Sequence, residues 1–142
     1  MMQLLEEEKM VMTPYSPLAG GRVCRMWESD ESERYKGDAI NHQKYDAFKD
    51  KDMMIIKRIK EVADKLKVTM TQVSLAWILS KPLVASPVIG CTKIAQLEDI
   101  CGCFKVKLSE EDIKYLEELY VPHAPVGTLK KGEAFAFQMN KK

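Results

Sequence analysis

Two short apolar runs, Val11-Met12-Thr13-Pro14-Tyr15 and Ala85-Ser86-Pro87-Val88-Ile89, constrain this chain more than any other feature. Each is too short for a helix, is closed by turn residues (Ser16-Pro17 in one case, Gly90 in the other), and reads as a buried strand. Helical patterns lie before, between and after them. Strands that alternate with helices imply a parallel sheet with crossover helices, so the fold class is α/β. Only two strands are legible in 142 residues, and two strands do not make a stable sheet with both faces covered. The architecture is therefore incomplete as written. Pro14 adds a constraint of its own, because proline has no N–H to give to a central ladder.

The helices carry clear signals. Across residues 52–66, Ile55, Ile59, Val62 and Leu66 recur at helical spacing, with Lys57, Lys60, Glu61 and Asp64 opposite. Thr69 followed by Gln72 is a capping box that opens a helix through Val73, Leu75, Ala76, Trp77 and Leu79, and Pro82 lies just past its end. Thr92 is placed to cap a helix from about Ile94 to Cys101, and Ser109-Glu110-Glu111-Asp112 opens a last one through Ile113, Leu116 and Leu119. The first ten residues read as the end of an amphipathic helix, with Met1, Leu4, Leu5 and Met10 on one face. No capping residue precedes Met1, which leads to the expectation that the chain is cut within that helix. From about Trp27 to Lys51 the sequence is polar and without period, which predicts a long surface loop holding one short helical turn. The expected organisation is one partial domain over 1–142: helix end, strand and first loop at 1–26, surface loop at 27–51, helices, strand and second loop at 52–120, and an irregular tail at 121–142.

With 46% hydrophobic and 30% charged residues the chain has a globular composition rather than a disordered one. Lys plus Arg number 22 and Asp plus Glu 21, so there is no electrostatic footprint for nucleic acid or an anionic membrane. No apolar run approaches the roughly 20 residues of a membrane span, and no signal-peptide pattern opens the chain, so a cytoplasmic protein is expected. Cys24, Cys91, Cys101 and Cys103 make a poor disulfide framework, and with only His42 and His123 beside them they offer no metal pattern. Free thiols and no metal site are the expectation.

Three segments, in this order and spacing, resemble the aldo-keto reductase family: Thr13-Pro14-Tyr15-Ser16-Pro17-Leu18-Ala19-Gly20-Gly21-Arg22, Thr71-Gln72-Val73-Ser74-Leu75-Ala76-Trp77-Ile78-Leu79-Ser80-Lys81-Pro82, and Ser86-Pro87-Val88-Ile89-Gly90-Cys91-Thr92-Lys93 leading to Gln96-Leu97-Glu98-Asp99. The resemblance runs from about Met1 to about Gly127. It implies the C-terminal portion of a (β/α)8 TIM barrel, about the last two βα units plus a C-terminal helix. It also implies a nicotinamide cofactor, NADP (as NADPH) ahead of NAD, bound at the C-terminal ends of the strands.

By the same resemblance Tyr15 stacks on the nicotinamide, Ser16, Leu18 and Gly20 let the backbone approach the pyrophosphate, and Arg22 adds charge there. Gly90, Cys91, Thr92 and Lys93 form a second cradle at a helix N-terminus for the adenosine ribose and its phosphate, with Gln96 and Asp99 reaching the adenine end. The sequence departs from the family pattern at Cys91 and Ile100, where Ser or Lys and Asn are usual. The family's proton donor, a Tyr supported by Lys, Asp and His, belongs to earlier elements of the barrel. Tyr35, Tyr45 and His42 lie in a loop the family does not use for that role, so no catalytic residue is assigned. The implied function is that of a truncated reductase whose parent converts small aldehydes or ketones to alcohols. The alternative is a non-catalytic interaction module whose exposed barrel edges pair with a second copy or another chain.

Overall fold

A computed structural model describes residues 2–27, 42 and 45–122. Most of the expected surface loop, Tyr35 within it, and the tail from His123 lie outside the described residues. Among those described, five α-helices follow in order: α1 (Met2–Glu7), α2 (Lys49–Leu66), α3 (Met70–Leu79), α4 (Ile94–Cys101) and α5 (Glu110–Glu117). Short 3-10 turns occupy Ala19–Cys24, Asp46–Phe48 and Gly102–Lys105. The second of these lies in the polar stretch, for which one short helical turn is expected at no particular place, and α2 starts three residues earlier than the periodicity predicts.

The core lies where α2, α3 and α5 meet. Trp27, Ile56, Ile59, Val62, Ala63, Met70, Val73 and Leu116 form its buried cluster. On α2 the most buried face runs through Ile56, Ile59, Val62 and Ala63, while Ile55 and Leu66 are only partly buried at its margin. α3 is apolar around most of its circumference because it has neighbours on several sides: α2, α4 and both flanking 3-10 turns pack on it. Polar ties lock the helices in register. Arg58 Nη1 donates to the Tyr115 carbonyl (2.6 Å) and to Glu118 (2.7 Å), and its guanidinium lies 4.2 Å from the Tyr115 ring centroid. Trp77 Nε1 donates to Glu117 across the α3–α5 contact (2.8 Å).

The helix ends follow from local chemistry. Ser109 and Asp112 form a reciprocal capping box at α5, each side chain accepting from the other's backbone N–H at 3.1 Å. Thr69 caps α3 by accepting from the Gln72 N–H (3.2 Å), but the Gln72 side chain does not return to complete the box. It reaches across to α4 instead. At the end of α2, Lys67 takes φ 56° and the N–H of Val68 bonds the Ala63 carbonyl at 3.0 Å, closing a Schellman turn without the usual glycine.

The two expected strands are reduced to two isolated parallel bridges, Met12 with Val84 and Tyr15 with Val88, and no longer strand forms among the described residues. The segments do lie side by side and parallel, as the α/β reading requires. They share three hydrogen bonds: Met12 N–H to Leu83 O (2.8 Å), Ala85 N–H to Met12 O (2.9 Å) and Val88 N–H to Pro14 O (2.8 Å). The ladder stops there for two reasons. Pro14 and Pro87 have no N–H to continue it, and three steps on one segment match four on the other, which breaks the regular alternation. α1 departs from expectation too. It buries no residue, and Leu4 and Met10, expected on a packed face, are 55% and 46% exposed.

Candidate functional site

The two paired segments end beside each other, and the loops that leave them frame one cleft of about 590 Å³. That lies within the range of small-molecule sites, about 300–1,000 Å³. From the first loop, Tyr15, Ser16, Leu18, Gly20 and Arg22 line it, and from the second Gly90, Cys91, Gln96 and Asp99. Two expected members are not in the lining: Thr92 and Lys93 sit just beyond it, exposed.

The first loop is a tight, irregular turn. Ser16, Ala19, Gly20 and Gly21 all take positive φ, and the N–H groups of Ala19 and Gly21 bond Ser16 O (3.0 Å) and Leu18 O (2.8 Å). Left-handed backbone at a residue with a Cβ costs roughly 1–2 kcal/mol and collects at ligand sites. Gly21 (φ 93°) has nothing within 4 Å of where a Cβ would stand, and neither has Gly90 across the cleft, so both glycines leave room for a bound group at the backbone. Tyr15 is 80% exposed at the mouth, leaving its ring available to a planar partner.

Past the turn, Arg22 is buried at 7% exposure. It pairs with Asp46, and its guanidinium lies 5.1 Å from the Trp27 ring and 5.4 Å from the Tyr45 ring. The other oxygen of Asp46 accepts from His42 Nδ1 at 2.7 Å. Burial pushes the Asp46 carboxyl up, but its bonds to His42 and Arg22 outweigh that and hold it below the usual carboxylate range. Trp27 Nε1 donates to the Arg22 carbonyl (2.8 Å) and Ser74 Oγ to the Val23 carbonyl (3.2 Å), which fastens the turn to α3.

The second loop is organised differently. α4 was expected to be capped by Thr92, but its N-cap is Lys93 and the cap comes from inside the helix. Gln96 Oε1 accepts from the N–H groups of Thr92 (3.0 Å) and Lys93 (3.2 Å). The N–H groups expected to cradle an anion are thus held by Gln96. Asp99 is likewise engaged: it accepts from Thr69 Oγ1 (2.9 Å) and Gln72 Nε2 (2.8 Å), tying α4 to α3. A Cβ at Gly102, just after α4, would lie 2.3 Å from Gln72 Nε2, so this tie depends on a residue without a side chain.

Sequence reasoning passed over several residues of the lining. Arg25 lies on the wall with Arg22, one short turn further on, and Thr71 and Cys24 line the cleft as well. Arg25 was legible as a second cation at helical spacing from Arg22. Cys24 was not, since only the fold shows that it faces this cleft. Burial pushes the Cys24 thiol up, against a hydrogen bond from Thr71 that lowers it. Among the described residues, no group of three or more His, Cys, Asp and Glu side chains could hold a metal ion, and no helix is long and apolar enough to cross a membrane.

Two parallel segments end at one cleft, framed by a glycine-containing loop and a helix N-terminus. A sequence model of the Aldo/keto reductase family matches residues 1–121, and the chain belongs to that family. It is 38% identical over 114 residues to a versiconal hemiacetal acetate reductase of Aspergillus parasiticus, covering 80% of this chain and 33% of that protein. It is 32% identical over 111 residues to an aldo-keto reductase of Metarhizium robertsii, covering 78% of this chain and 30% of that protein. An aldo-keto reductase of Schizosaccharomyces pombe with NADP(+) in its name is 27% identical over 120 residues, covering 82% and 35%. The chain therefore spans about a third of the length of the relatives it matches. The relatives are oxidoreductases by name, and their family uses nicotinamide cofactors.

Proposed function

We propose that this chain supplies part of the dinucleotide site of an NAD(P)H-dependent reductase that interconverts small carbonyl compounds and alcohols, as the C-terminal portion of a (β/α)8 barrel. The observation that carries the reading is the convergence of two loops some seventy residues apart in sequence on one cleft with cationic side chains on its wall. In this reading Tyr15 offers its exposed ring to the nicotinamide, Ser16, Leu18 and Gly20 bring the backbone to the diphosphate, and Gly90 belongs to the cradle for the adenosine ribose. Arg22 contributes charge on the wall, and Cys91, Gln96 and Asp99 meet the adenosine end. Thr92 and Lys93 stand outside the lining and take part only if Gln96 releases their N–H groups. NADP is preferred to NAD because one relative carries NADP(+) in its name. Bound nicotinamide supplies the hydride, and the chain's own residues bind and orient it.

The proton donor and its supporting Lys, Asp and His come, in this proposal, from outside these 142 residues. A cytoplasmic setting goes with it. A second reading rests on the exposure of Val11 (61%) and Val88 (53%) on the paired segments: these edges join a second copy or another chain, and the module itself does no chemistry.

NADPH titration of the purified chain, followed by quenching of Trp27 and Trp77 fluorescence, separates the two. Saturable quenching is expected if the cleft assembles alone. Self-association with no quenching would favour the interaction module. Aldehyde turnover by the chain alone is expected to be negligible, since loss of a general acid forfeits roughly 10²–10⁴-fold.

A further inference from the structure

We infer that Asp46 is a positioning residue for Arg22, setting that guanidinium as the fixed cation that meets a phosphate in the cleft; the inference rests on reading the cleft as a dinucleotide site.

Arg22 and Arg25 line the cleft and Lys93 stands just beyond it, and Lys93 and Arg22 differ in how they are held. Lys93 is exposed, lies outside the lining and sits on a long rotatable stem. Arg22 is buried and in the lining, and it is flanked by the Trp27 and Tyr45 rings while Asp46 binds it through Nη2. A planar guanidinium held by a carboxylate and two aromatic rings has little rotamer freedom left to lose, so a phosphate contact made there costs less ordering.

Asp46 engages Arg22 through Oδ1 only, because Oδ2 faces His42 Nδ1 at 2.7 Å. The side chain that holds Arg22 lies 24 residues further along the chain. Residues at both ends of the polar stretch, Trp27 at one and Tyr45 and Asp46 at the other, thus converge on one cation of the cofactor wall. Nothing in the spacing of these residues announces the arrangement.

Charge and position act in opposite directions here, which makes the inference sharp. If Asp46 merely neutralised Arg22, removing its carboxylate would strengthen anion binding. If it positions Arg22, removing it weakens binding, and a carboxylate on a longer stem partly restores it. The carboxylate is 36% exposed, so solvent screens its repulsion of a ligand phosphate, while loss of orientation is felt in full.

The test uses the full chain, with NADPH and inorganic pyrophosphate as separate probes and tryptophan fluorescence as the readout. Far-UV circular dichroism checks that each variant keeps its helices. Asp46→Ala is expected to weaken both probes about tenfold, the loss of one well-held charge-assisted contact, and Asp46→Glu to recover most of the loss. Unchanged or tighter binding by folded Asp46→Ala, with the wild-type chain binding both probes, overturns the positioning role and leaves the proposed function standing. Pyrophosphate binding that Asp46→Ala weakens, with no NADPH binding by the wild-type chain, supports the positioning of Arg22 and removes the dinucleotide reading. Binding of neither probe by the wild-type chain overturns both. Failure of Asp46→Glu to recover binding, despite normal helices, also overturns the inference.

Discussion

Val73 and Leu75, at the centre of α3, have no exposed surface, whereas Tyr15 and Val88, which bridge the two extended segments, are 80% and 53% exposed. The helical side of the molecule is held by interlocked apolar side chains and by ion pairs between helices. Among the described residues, the two segments share three backbone hydrogen bonds, and the loop after the first is tied down by Trp27 and Ser74. Each such bond contributes only about 0.5–1.5 kcal/mol net, against about 1.5–3 kcal/mol for fully burying one large aliphatic side chain. Stability therefore resides in α2, α3 and α5, and the candidate site is carried on the side that contributes least to it. Ligand-binding elements are commonly drawn from the less stable parts of a fold.

The largest expected effect is in the core. Ile56→Ala removes one of the three largest fully buried side chains and should lower stability by about 2–5 kcal/mol in urea melts. A loss below about 1 kcal/mol would mean that the helical side is not the keystone proposed here.

A smaller effect comes from pH. The Lys65 hydrogen bond (2.7 Å) holds the Asp112 carboxyl below its usual range, outweighing burial, with the Ser109 cap adding to it. A carboxyl whose folded pKa is depressed contributes stability that is present above its unfolded pKa of about 4, and loses it as pH falls through the lower folded value. Thermal melts of the wild-type chain should therefore decline below about pH 4, and Asp112→Asn should show a shallower decline. Parallel curves for the two proteins would remove Asp112 from the account.

The smallest effect is on the segment side. Val88→Asp should change the melting free energy by less than about 0.5 kcal/mol while reducing self-association in light scattering. A loss of more than about 2 kcal/mol in that variant would show that the exposed edge is part of the core, and the contrast between the two sides would collapse.

Reading the sequence recovered the helical side well because its signals are local. The Ser109 box and the Thr69 cap depend on residues three apart, and the period of α2 was visible, though its buried face is centred one residue away from Ile55. The segment side was harder. The apolar content of 11–15 and 85–89 indicates strands, but prolines in both and the mismatch of three steps against four leave only two bridges. In the cleft, Tyr15, Ser16, Leu18, Gly20 and Arg22, which the family resemblance singles out, do lie in the lining, and Cys24 and Arg25 lie there too. The engagement of Arg22 by Asp46 and the capture of the Thr92 and Lys93 N–H groups by Gln96 were not legible in the sequence. The first depends on a contact made across 24 residues, and the second on which of several donors and acceptors a flexible amide selects.

The absence of a side chain at Gly102 gives the cleft a remote lever. The atoms crowding that position are the far end of the flexible Gln72 side chain, so a methyl added there would move the amide aside rather than unfold the protein. Gln72 would then let go of Asp99, at both its carboxylate (2.8 Å) and its backbone carbonyl (3.0 Å). A carboxylate spent on joining two helices would be left with Thr69 alone and would turn its charge toward the ligand space. One methyl group outside the cleft would thus strip two amide hydrogen bonds from a residue of its wall.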